Sequence, residues 1–275
     1  MSVVALLGAG GKMGFRLSAN LKSSDFEVRH IEISEAGRTR LQDELGVSCV
    51  DVAEGVPGAD VVILAVPDNL IGRISKGIEP MLESGTMLVA LDAAAPFAGH
   101  LPDRDDLTYF VTHPCHPPIF NDETDLEAKR DYFGGIKAKQ NIVNALMQGP
   151  EDAYELGERI ARTIYAPVVR SHRVSVEHMA LLEPGLSETV CATFLAVMRE
   201  AMDEVVARGV SEQAARDFLL GHMNILGAVI FNETEGVFSD ACNKAIEFAK
   251  PQIFREDWKR IFEPEEIADS IRRIT

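Results

Sequence analysis

Short unbroken apolar runs alternate with amphipathic stretches over the first 174 residues, and a different texture follows them. The runs at 3–7, 60–66, 86–91 and 107–112 show no regular polar alternation. Hydrophobicity that continuous marks strands covered on both faces, as in a parallel sheet with helices on each side. Segments 15–21, 35–45 and 69–82 read as the intervening helices. Further strands are expected at 26–33, 47–50, 132–136, 142–147 and 167–175. Pro150 opens a helix over 151–164, with Leu156, Ile160 and Ile164 on one stripe, and Pro167 stops it. From residue 176 the pattern is helical to the end, over 176–207, 212–231, 240–248 and 263–274. Pro184 and Gly185 should kink the first of these. Gly209 closes it and Ser211 can cap the next. The expected fold is α/β. A Rossmann-type, doubly wound, mostly parallel sheet spans 1–174, and an all-helical substrate and dimerisation domain spans 175–275.

The turn after the first strand reads Gly8-Ala9-Gly10-Gly11-Lys12-Met13-Gly14. Met13 stands where a strict G-x-G-x-x-G would have its third glycine, so Gly8, Gly11 and Gly14 form a G-x-x-G-x-x-G variant with Gly10 as an extra. Glycine lets the chain turn tightly and brings backbone close to a pyrophosphate. The helix that follows offers free N–H groups and the positive end of its dipole. Lying between a strand and a helix, the loop reads as a dinucleotide-binding site. Glu32, at the end of the second strand, is near the offset expected of the acidic ribose ligand and favours NAD over NADP. Arg38 and Arg40 lie just beyond and pull the other way. The fourth strand's end, at Pro67 and Asp68, should face the cofactor.

Composition narrows the partners. A chain of 275 residues, 46% hydrophobic, is long enough for two domains and a sizeable core. A net charge of −16 argues against nucleic acid and anionic membranes. An anionic small-molecule substrate would then need local positive charge or a metal. Cys49, Cys115, Cys191 and Cys242 are scattered without a C-x-x-C pair, which fits free thiols in a reducing, cytoplasmic setting. The longest apolar stretch, near 225–231, is far short of a membrane span. Helix 176–207 is apolar on most sides, so it should be buried in a core or between subunits, which predicts a homodimer.

Ligands of open α/β sheets sit beyond the carboxyl ends of the strands. Three such ends carry useful groups: Pro67-Asp68, Asp92, and the segment His113-Pro114-Cys115-His116. Two histidines three apart, stiffened by prolines, can ligate a metal or shuttle protons. Glu183 and Glu188 sit in an otherwise apolar helical run, where a buried carboxylate needs a partner or a proton. A metal bridging the histidine segment and this helix would satisfy them. No lysine occurs between Lys139 and Lys244, so the long helix offers no ammonium for catalysis.

The glycine loop, the strand at 60–66 and the helical second half resemble the superfamily with 6-phosphogluconate-dehydrogenase-like C-terminal domains. That group includes β-hydroxyacid dehydrogenases, prephenate dehydrogenases and ketol-acid reductoisomerases. Within it, the glycine loop with His113-Pro114-Cys115-His116-Pro117, Leu182-Glu183-Pro184, Glu188-Thr189-Val190, Phe238-Ser239-Asp240-Ala241-Cys242 and Asp257-Trp258-Lys259-Arg260-Ile261-Phe262 resembles the D-apionate oxidoisomerase family. The resemblance implies NAD-dependent oxidation of a branched sugar acid coupled to a shift of its carbon skeleton. It also implies a divalent metal held by His116 and Glu188, with His113 as proton relay or extra ligand. His113, His116 and Glu188 are thus the expected catalytic residues. Gly8, Gly10, Gly11, Lys12, Met13, Gly14, Glu32, Pro67 and Asp68 are those expected to bind NAD. The alternative is a metal-free 2- or 3-hydroxyacid dehydrogenase with a histidine general base.

Overall fold

The computed structural model describes residues 1–275. Eight strands form one sheet: β1 (Val3–Leu7), β2 (Glu27–Ile31), β3 (Cys49–Val50), β4 (Val61–Leu64), β5 (Met87–Ala90), β6 (Thr108–Pro114), β7 (Gln140–Gln148) and β8 (Val168–Arg173). Their spatial order is β3-β2-β1-β4-β5-β6-β7-β8. Every pairing is parallel except β6 with β7, which is antiparallel. This is the doubly wound Rossmann arrangement with an added β7–β8 edge. The strands read as continuous apolar runs because both faces are covered. Val4, Leu6, Val61 and Ile63 enter one core cluster, and Ala5, Leu7, Val62 and Leu64 enter the other.

Helices α1 (Lys12–Lys22), α2 (Glu35–Arg40), α3 (Val52–Gly55), α4 (Asp68–Ile78), α5 (Ala94–Phe97) and α6 (Ala153–Ile164) complete this part. The amphipathic pattern of α6 buries Ile160 and Ile164 as its stripe requires, and Gly157 lets it close on Phe110. One expected strand does not form. Residues 132–136 are a turn in which Gly134 and Gly135 take φ of +74° and +84°, and Tyr132 and Ile136 stay exposed. The Asp131 carboxylate accepts the N–H groups of Ile136, Lys137 and Ala138 at 2.9 to 3.2 Å, so those donors never reach a ladder.

The chain divides into two compact units, residues 1–183 with 268–275, and residues 184–267. Val176 and Met179 pack with Val111 and Val143 of the sheet, which places α7 (Val176–Ala180) in the first unit. The long helix expected over 176–207 is continuous. Instead of a simple kink at Pro184, it widens into π-helical turns over Leu181–Ala192 before α8 (Thr193–Ala207). Proline has no N–H to donate, and i→i+5 turns absorb the extra residue such a break leaves. The second unit continues with α9 (Glu212–Ile230), α10 (Asp240–Ile253) and α11 (Pro264–Ile274), whose last turns return to the first unit.

The apolar faces of this second unit are not covered by the chain itself. Leu186, Leu195, Val197, Phe218 and Ile225 all stay exposed, and Met202 alone is buried in α8. By length and composition the 176–207 helix, with a window of mean hydropathy 1.3, also passes the test for a membrane span. That exceeds the short 225–231 run expected to be the longest apolar stretch.

Candidate active site

The glycine loop joins β1 to α1. Gly8 takes φ of +76°, and a Cβ there would overlap the Ala65 carbonyl. Gly14, inside α1, faces the Gly8 carbonyl so closely that a side chain would overlap it. These two positions admit only glycine, and they press the helix onto the strand end. Gly11 caps α1, and its N–H donates to the Gly8 carbonyl at 3.0 Å. Gly10 and Gly37 are back to back, with a Cβ on Gly10 falling 2.6 Å from the Gly37 Cα. Lys12 and Met13 form the first turn of α1, Lys12 exposed and Met13 against the core. The first N–H groups of α1 have no partner within the helix, an arrangement that can hold an anion.

Glu32 follows β2 and is 6% exposed. Its Oε2 accepts the Gly10 N–H at 2.8 Å, and its Oε1 accepts the Ser34 N–H at 2.8 Å. Two backbone donors balance the buried charge and tie the carboxylate to the glycine loop. Lone pairs remain on both oxygens for ribose hydroxyls. The two arginines that could favour a 2′-phosphate are engaged elsewhere. Arg38 pairs with Asp51 at 2.6 Å, which raises its guanidinium further above its usual range. Arg40 lies 3.7 Å over the Phe15 ring and pairs with Glu44 at 3.2 Å.

The ends of β4, β5 and β6 bring the remaining chemistry together. Pro67 caps α4 and Asp68 is its first residue. Burial raises the Asp68 carboxyl, the nearby Asp92 charge adds to that, and His113 partly offsets it. Asp92 follows β5 and uses Oδ1 to accept the Ala94 N–H at 2.6 Å, starting α5. His113, near the end of β6, donates from Nδ1 to the Leu91 carbonyl at 2.9 Å, with Asp92 Oδ2 3.6 Å away. A carbonyl only accepts, so the neutral ring carries its proton on Nδ1 and its lone pair on Nε2. That Nε2 faces Glu183 Oε2 at 3.3 Å. Two acceptors this close need a proton or a cation between them. Asp92, His113 and Glu183 each present one ligand atom, and these atoms lie within 4.8 Å of one another. One nitrogen and two carboxylate oxygens form a donor set for a divalent cation.

His116 stands apart from that triad. Its φ is +61°, a conformation uncommon outside glycine, and its Nδ1 donates to the Phe133 carbonyl at 2.9 Å. Its ring centroid is 6.0 Å from that of His113. Nε2 is again left with the lone pair, as a ligating histidine needs. Glu188 belongs to the second unit, within the π-helical turns. The sequence marks Asp92 and Glu183 as strand-end and helix carboxylates, but spacing alone does not select them over His116 and Glu188. Gly37 and Phe133 escape notice altogether. A glycine inside a short helix was the available signal for the first, and nothing in the sequence marks the second.

Two family models match the chain. The phosphogluconate dehydrogenase (decarboxylating) C-terminal model covers residues 121–275, more than half of the protein. The NADPH-binding domain of acetohydroxy acid isomeroreductase covers residues 2–102. A D-apionate oxidoisomerase of Rhizobium rhizogenes is 71% identical over all of both chains. Another, of Blautia hydrogenotrophica, is 43% identical over 96% of this chain and 93% of its own. A crystal structure of a semialdehyde dehydrogenase NAD-binding protein from Cupriavidus necator, in complex with calcium and NAD, superposes with a TM-score of 0.98 at 68% identity over all of both chains. An NADH-preferring ketol-acid reductoisomerase from an uncultured archaeon shares the fold, with a TM-score of 0.69 at 16% identity over 99% of this chain and 82% of its own. The chain belongs to the D-apionate oxidoisomerase family and is an NAD-dependent oxidoreductase of Rossmann-type fold.

Proposed function

We propose that the protein oxidises a small branched sugar acid of the D-apionate class with NAD and rearranges its carbon skeleton with the help of a divalent cation. The observation that carries this reading is His113 Nε2 held 3.3 Å from Glu183 Oε2, with Asp92 closing the same donor set. The family resemblance adds His116 and Glu188 as cation ligands. The chemistry of the donors fits a cation that prefers mixed nitrogen and oxygen ligands. When bound, NAD takes up the hydride from the alcohol beside the carboxylate, and the cation supplies Lewis acidity at the resulting ketone.

The chain's own groups have separate tasks. Gly8, Gly10 and Gly14 allow the close backbone packing that shapes the phosphate turn, Gly11 caps the helix, and Lys12 and Met13 contribute N–H groups at its start. Glu32 accepts from the adenosine ribose and repels a 2′-phosphate, and with Arg38 and Arg40 already paired, NAD is favoured over NADP. Pro67 and Asp68 line the nicotinamide side. The Asp68 carboxyl, raised by burial, stands at the start of α4 within reach of a cofactor hydroxyl. In the metal-free alternative His113 Nε2 would instead receive the alcohol proton, with Asp92 beside Nδ1 to stabilise the imidazolium. With no lysine on the long helix, the proposed cation could help to neutralise the anionic substrate. Four free cysteines fit a cytoplasmic enzyme. The exposed apolar faces of the second unit fit coverage by a second copy of the chain, as a homodimer.

Three outcomes follow. With NAD and a branched sugar acid, carbon NMR of the product shows a rearranged skeleton, and EDTA abolishes it until manganese or magnesium is restored. Turnover indifferent to chelation would leave the metal-free hydroxyacid dehydrogenase with His113 as base. Replacing Glu32 by Ala weakens NAD binding about tenfold, equivalent to roughly 1.4 kcal/mol, and weakens NADP binding less. Equal losses for both dinucleotides in isothermal titration would contradict the ribose role. Light scattering at micromolar concentration gives twice the mass of the 30.1 kDa chain, and a monomer would refute the dimer.

A further inference from the structure

Phe133 lies in a turn that no dinucleotide or metal motif includes, yet it meets both halves of the first unit's chemistry. Its carbonyl accepts the His116 Nδ1–H at 2.9 Å, and its ring lies edge-on to the His116 ring at 6.2 Å. On the ring's other contacts sit two cations from the first two turns of α1, Lys12 Nζ at 4.4 Å and Arg16 Cζ at 4.6 Å from the centroid. Lys12 is also the first residue of the helix whose N-terminus forms the anion cradle. Phe133 therefore touches the histidine loop through its carbonyl and ring, and the dinucleotide helix through its ring.

The turn is built to hold that position. Asp131 is buried and gathers three backbone N–H groups with one oxygen, closing the chain over 131–138. Gly134 and Gly135 take left-handed φ values, and a Cβ on Gly134 would fall 2.6 Å from the Gln140 side chain. Gln140 is itself anchored, donating to the Tyr165 carbonyl at 2.8 Å. Asn20, one turn beyond Arg16 on α1, donates to the Gly135 carbonyl at 3.0 Å. The turn is thus fixed to α1 at one end and to β7 at the other. His116, whose ring is held by this turn, itself takes a φ of +61°, uncommon outside glycine. The ring's electron-rich face attracts both cations.

We propose that Phe133 is a positioning residue that couples dinucleotide binding to the orientation of His116. An anion in the cradle draws on the same Lys12 ammonium that rests on the Phe133 ring. Any change in that contact reaches the Phe133 carbonyl, and through it the imidazole whose Nε2 lone pair is turned outward. The inference rests on the reading of His116 as a site residue and deepens it. It does not require that a cation be bound.

The test reads His116 directly in the full-length protein. Nitrogen-15 NMR on histidine-labelled enzyme resolves the tautomers of its seven histidines, and the resonance lost in His116→Gln identifies the one in question. The expected result is an Nδ1–H tautomer for His116 that shifts when NAD saturates the wild type. In Phe133→Leu the NAD-induced shift is lost and kcat falls roughly ten- to a hundredfold, with the melting temperature held. Phe133→Tyr restores both. An Nε2–H tautomer in the wild type, no response to bound NAD, or a Phe133→Leu protein that keeps the response would overturn the proposal. Should Phe133→Leu fail to fold, Arg16→Gln decides the matter, with a diminished NAD response expected and an unchanged one contradicting it. Insensitivity of turnover to chelation would count against the cation alone and leave this result standing.

Discussion

A parallel sheet delivers the carboxyl ends of its strands to one edge, and that geometric constraint sets the positions of the chemical groups in the first unit. The glycine loop follows β1, Glu32 follows β2, Asp68 follows β4, Asp92 follows β5 and His113 closes β6. None of these residues is near another in sequence. Their meeting is bought by burying apolar strands on both faces, because only continuous hydrophobic runs such as Val61–Leu64 keep the strands side by side under two helical layers. Once that is done, polar groups placed one or two residues past a strand end share an edge without further design.

How closely they meet depends on single atoms. Gly8 and Gly14 let α1 press against the end of β1, and Gly37 makes room for both Gly10 and the Glu32 side chain. The Glu32 carboxylate then clasps the glycine loop through the Gly10 N–H. At the other strands, a backbone carbonyl decides the chemistry. Leu91 takes the Nδ1 proton of His113 and Phe133 takes that of His116, so both rings turn a lone pair outward. A histidine whose tautomer is set in this way is prepared for a proton or a cation before either arrives.

Much of this was legible in the sequence because it depends on local pattern. The apolar runs, the glycine spacing and the offset of Glu32 are read within windows of about 30 residues, and the structure keeps them. The strand expected at 132–136 was not real because one carboxylate, Asp131, outbid the ladder for its N–H groups. The helix face after Leu181 was not legible either. A 3.6-residue wheel misplaces every side chain once π-helical turns intervene. Asp92, an ordinary strand-end acid by sequence, emerged only from its distance to His113. Phe133 could not be found at all, since its role depends on a carbonyl and a ring meeting residues from two distant segments.

The proposed cation would lie between Asp92, His113 and Glu183 at the sheet edge. Crystals of the protein soaked in manganese and NAD, with diffraction recorded at the manganese edge, test it most directly. An anomalous peak within coordination distance of all three side chains is the predicted result. A peak elsewhere, with the three donor atoms still in contact and no density between them, would contradict it.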